Sequence, residues 1–101
     1  LLLCPLSLAG QKIYVVEYEN QADIKVFVVE YESQCDLKVF KVQYESQADE
    51  EGLWYFVDYE SQGDLKIYFV EYESQADLLI FKVEYESQAG WRNKKKQHLP
   101  N

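Results

Sequence analysis

The hexapeptide YESQAD occurs intact at residues 44–49 and 72–77, and near copies begin at Tyr18, Tyr31, Tyr59 and Tyr85. The six tyrosines are spaced by 13, 13, 15, 13 and 13 residues. A fixed period means one supersecondary unit written repeatedly, and such a unit must bury its apolar face against its neighbours. The chain has 101 residues, enough for a single domain. Any fold it adopts must therefore satisfy six nearly identical units at once.

Each unit can be read as thirteen letters ending in Asp, as in IKVFVVEYESQCD (24–36) and LKIYFVEYESQAD (65–77). Nine letters of β-branched, aromatic and alternating character precede four small or polar ones. That pattern predicts one strand and one turn per unit, because such residues favour a pleated strand and disfavour a helix. Alternation then assigns faces. The fourth, sixth and eighth letters are apolar or Tyr in every unit. The sixth is always Val, at Val16, Val29, Val42, Val57, Val70 and Val83. The eighth is the motif tyrosine, at Tyr18, Tyr31, Tyr44, Tyr59, Tyr72 and Tyr85. These letters are the expected core. The opposite face is mixed: its fifth letter runs from Val15 to Lys41 to Phe69, which suits partial exposure. Its first and third letters are apolar, so each strand should start covered on both sides.

The turn carries a second regularity. Ser33, Ser46, Ser61, Ser74 and Ser87 recur at the tenth letter, with Asn20 once. Gln21, Gln34, Gln47, Gln62, Gln75 and Gln88 recur at the eleventh. Turns that need only be polar drift among Ser, Asn, Asp and Gly. A recurrent Gln, with two donors and an acceptor, predicts an amide that bridges to the backbone of a crossing segment. The small twelfth letter (Ala22, Cys35, Ala48, Gly63, Ala76, Ala89) implies close passage of another chain. The Asp after it can accept from backbone N–H groups. The motif therefore reads as a crossing element.

The fourth unit is two residues longer. Its extra letters lie at the unit boundary, so a bulge or wider loop is expected near Gly52 where the winding passes from one half to the other. Leu53 and Trp54 should make this the most buried strand. The pattern stops after Gly90, where Trp91 is expected to pack on the last turn.

Charge limits the classes of function. Residues 1–90 hold all 18 acids but six of the ten cations; Arg92, Lys94, Lys95 and Lys96 form a basic tail from about residue 91. So acidic a body repels nucleic acid and anionic membranes, and the tail is expected to lie back on it. Calcium is the rival use for the acids, with Glu32 and Asp36, or Glu45 and Asp49, as ligands. The Gly-bent loops and dense oxygen sets calcium prefers are missing, and Lys25, Lys38 and Lys66 are placed to pair with the acids instead. No metal or cofactor motif emerges. His98 stands in a polar terminal run, and no nucleophile, base and oxyanion donor can be named together, so an enzyme is not expected. Cys35 fills a small slot, and no disulfide framework is indicated.

Residues 1–10, LLLCPLSLAG, are apolar and end in Ser7-Leu8-Ala9, the small-residue spacing signal peptidase accepts. They read as the end of a secretory signal preceding a domain at 11–101, which predicts export. The alternative is an apolar N-terminal strand or loop of a cytoplasmic protein. Ten residues are too few to span a bilayer.

On the residues alone, a small β-solenoid or an up-and-down two-layer sheet is expected. KIYVVEYENQADIKVFVVEYESQ, GLWYFVDYESQ, LKIYFVEYESQAD and YESQAGWRNKKKQHL further make residues 11–99 resemble the septoil-knot family, small bacterial proteins whose backbone is described as a seven-crossing torus knot. The resemblance implies an all-β, compact, knotted two-layer monomer. It carries no catalytic residues, cofactor, partner or assigned function. The chain departs from the family pattern at Cys35, Gly63 and Leu79. The functional expectation is a resistant structural or interaction protein; the alternative is a small ligand- or calcium-binding module.

Overall fold

A computed structural model describes residues 11–96. The expected signal segment at 1–10 and His98 lie outside the described residues. Each unit forms a short strand followed by one turn of 3₁₀ helix. The strands are β1 (Gln11–Val15), β2 (Ile24–Val28), β3 (Leu37–Lys41), β4 (Leu53–Phe56), β5 (Leu65–Phe69) and β6 (Leu78–Lys82). A two-residue β7 (Gly90–Trp91) follows.

The first six strands are all parallel and close into a ring, in the order β1-β5-β2-β6-β3-β4 and back to β1. Closure removes the unpaired edges that an open sheet would expose. β7 pairs antiparallel with the start of β3. Consecutive strands are not neighbours, save β3 and β4. The first circuit of the chain lays β1, β2 and β3 in alternate places, and the second lays β4, β5 and β6 into the gaps. Neither a solenoid nor an up-and-down sheet forms. The first would stack successive units on one another, and the second would pair its strands antiparallel.

Parallel strands ordinarily need a crossover of a dozen residues or more. Here eight residues, 16–23, link β1 to β2. The register explains how. The third letter of one strand faces the first letter of the next, as Ile13 faces Leu65 and Ile67 faces Ile24. Because Ile67 pairs with both Val15 and Ile24, β2 begins at the height where β1 ends. The link need only step over the intervening β5. Each of the six motif turns lies on a strand, and together they make an outer layer over the ring.

The core is filled by first and third letters: Ile13, Ile24, Val26, Leu37, Val39, Trp54, Leu65, Ile67, Leu78 and Ile80. This corrects the expected faces. The strands span letters one to five, so odd letters point inward, and the fourth letters, such as Phe27 and Tyr68, are half-buried on the outer face beneath the turns. The tyrosines Tyr18, Tyr31, Tyr44, Tyr59, Tyr72 and Tyr85 are not core: each is 64–68% exposed. They lie past the strand's end, at the entry to the 3₁₀ turn, where strand alternation no longer aims a side chain. Of the sixth letters, Val16, Val29 and Val42 are buried and Val57, Val70 and Val83 half-buried. Leu53 and Trp54 of β4 are fully enclosed, and Trp91 packs against the core from β7.

Candidate functional site: clipped crossings and an open barrel mouth

The crossings are held by the aspartate of the motif. The Asp23 backbone N–H donates to the Lys66 carbonyl (2.7 Å), and the Lys66 N–H donates back to the Asp23 carboxylate (2.9 Å). Asp36 grips Leu79 in the same two ways, as Asp64 grips Lys12 and Asp77 grips Lys25. Each clip joins a link to the strand it steps over, which is also where the second letter of that strand sits. An ionised carboxylate accepting a backbone N–H is stronger than a neutral bond of the same geometry.

The glutamines do not make the crossing. All six are exposed. The Gln47 Oε1 accepts from the N–H groups of Gln43 and Tyr44, and the Gln88 Oε1 from that of Tyr85. These bonds go to residues that open the same turn, so Gln47 and Gln88 cap their own turns. The motif serines, Ser33, Ser46, Ser61, Ser74 and Ser87, are exposed too. The small twelfth letter does mark a close approach at Gly63, where an added Cβ would come within 2.9 Å of the Tyr14 Cβ.

Four of the six motif glutamates pair with lysines. Glu19, Glu32 and Glu60 pair with Lys25, Lys38 and Lys66, and Glu45 pairs with Lys12. The Glu60 contact raises the Lys66 ammonium above its ordinary pKa. Buried Asp36 also takes the Asn93 amide and the Lys96 ammonium, while Lys96 reaches the Asp77 carbonyl. The basic tail thus lies on the acidic body. Among the described residues, no group of three or more His, Cys, Asp and Glu is placed to hold a metal ion. Cys35 is 1% exposed, and burial pushes its thiol up despite the opposing Arg92.

The barrel interior is packed at the first-letter end and open at the other. There the fifth letters face inward: Val15, Val28, Lys41, Phe56, Phe69 and Lys82. On the side formed by β3 to β6 they rim an open cavity of about 370 Å³. Its wall includes Val39, Trp54, Phe56, Phe69 and Ile80, with Lys41 and Lys82 among the lining residues. Phe69 is 37% exposed, and Trp54 and Phe56 meet edge to face at 6.2 Å. The Lys41 ammonium stands 5.7 Å from the Phe56 ring centroid. The fifth letter's variation is visible in the sequence, but its inward direction depends on where the strand ends. Sequence reasoning therefore did not find this mouth. Trp54 is fully buried; its indole N–H and the Gln11 side-chain oxygen have no hydrogen-bond partner in the structure.

Among the described residues, no helix is long and apolar enough to cross a membrane. A family model described as the 7(1) septoil knot domain matches residues 10–92. Neither the curated proteins nor the solved structures gave a match.

Proposed function

This chain belongs to the septoil-knot domain family, and from that membership and its wound path we propose a non-enzymatic structural domain that resists unfolding and proteolysis. The family's description names a topology and no chemistry. The carrying observation is the interleaving of two circuits, with links stepping over intervening strands and four of them clipped there. A chain end must pass back through this winding before the ring can open, so the protection is kinetic. The seven-crossing closure is part of the proposal, as is a monomeric state. An extracytoplasmic site of action belongs to it too, supported by LLLCPLSLAG; resistance to proteases has its clearest use there.

Digestion follows the unfolding rate only when cleavage outpaces reclosing. The test is therefore digestion at high protease concentration beside unfolding in strong denaturant. The control keeps the same strands and turns but joins them along an unknotted path. A single fragment spanning β1 to β7 should outlast the control by at least about tenfold, a rate difference expected where activation barriers differ by ~1.4 kcal/mol. Equal rates for the two chains would remove the proposed use of the winding.

A further inference from the structure

Among the described residues, the open mouth places two lysines in a cavity that no carboxylate lines. Lys12, Lys25, Lys38, Lys66 and Lys96 each pair with an acid. Lys41 and Lys82 make no ion pair among the described residues, and no Asp or Glu is among the residues lining the cavity. The register sets the two lysines close together on the inward face: Lys82 lies beside Val39, two residues before Lys41 on β3. Around them stand the Phe56 and Phe69 rings and the indole of Trp54, the last beside Lys41 across the β3–β4 pair. An apolar cup with a few polar groups on one side is the ordinary form of a small-molecule site, and barrel mouths are a usual place for one. The volume falls within the range of such sites.

The geometry points to a binding site for a single-chain fatty-acid anion, its alkyl tail in the aromatic cup and its carboxylate between Lys41 and Lys82. The tail would cover Phe69 and Phe56, which water now reaches. The carboxylate would meet two ammonium groups, and a phosphate diester bearing two chains would not fit a cup of this size. No bond is made or broken.

The full chain is titrated with sodium decanoate, 1-decanol and decyltrimethylammonium, all below their self-assembly concentrations, and followed by calorimetry and NMR. One decanoate should bind per chain. The alcohol and the cation should bind at least about tenfold more weakly. Shortening decanoate to octanoate should weaken binding about fourfold per methylene removed. Shifts should centre on the Trp54 indole N–H, Phe56 and Phe69. Lys41→Gln with Lys82→Gln, both at exposed positions, should erase the preference for carboxylate over alcohol while alcohol binding persists. Lys25→Gln, on the outer face, should leave it intact. The site is overturned by equal binding of the three amphiphiles, by no decanoate binding, by a preference that survives in the double variant, or by shifts confined to the outer face.

Discussion

Asp77 holds Lys25 by both its backbone and its side chain, and that single residue does what the whole motif was expected to share. Asp77→Ala removes the charged acceptor and leaves the partly buried Lys25 N–H unpaired, so it should cost about 1–3 kcal/mol. Tyr72→Ala, at an exposed residue, should stay within about 0.5 kcal/mol. Urea midpoints measure both, and equal losses would contradict the roles given to the two residues. The Asp was legible in the sequence as an acceptor of backbone N–H groups. Its partner was not, because it lies 43 or 52 residues away, a separation no local pattern marks. The tyrosines mislead for a related reason. Apolar alternation runs on through the eighth letter, while the strand itself stops at the fifth.

The longer fourth unit records a geometric necessity at the scale of elements. Steps of two places around a ring of six would return the chain to a place already filled, so one step must be single. That step is β3 to β4, and there the Tyr spacing rises to 15. No strand intervenes, and the link instead turns through Gly52 at φ 84°, a conformation that favours glycine. A Cβ there would lie 2.4 Å from the Lys38 carbonyl oxygen and 2.7 Å from the Gly90 nitrogen. Both neighbours are backbone and belong to the β3–β7 pair, so they cannot give way separately. Gly52→Ala should therefore cost at least about 2 kcal/mol, whereas Gly90→Ala, with open space around it, should cost only the strain of its positive φ. Thermal melts of the two variants make the comparison. The unequal spacing was legible as a change of half, and so was the wider loop at Gly52. The ring order was not, since six near-identical strands carry no label saying which lies beside which.

At the scale of the whole molecule, the interleaving has a consequence for synthesis. β1, β2 and β3 occupy alternate places, and none pairs with another. A peptide of residues 11–49, carrying three complete units, should therefore show no strand signal by circular dichroism, although its sequence is as rich in β-formers as the full chain. A cooperative melt from that peptide would mean that the units pair in an order other than the one described. On the ribosome, the leading half waits for partners that have not been translated. At roughly 5–20 residues per second that wait lasts a few seconds, during which apolar strands are open to any passing surface. A protein whose finished form is proposed to be hard to unravel is, while being made, a nascent chain with nothing of its own to hold, and its dependence on chaperones should end only when the sixth strand closes the ring.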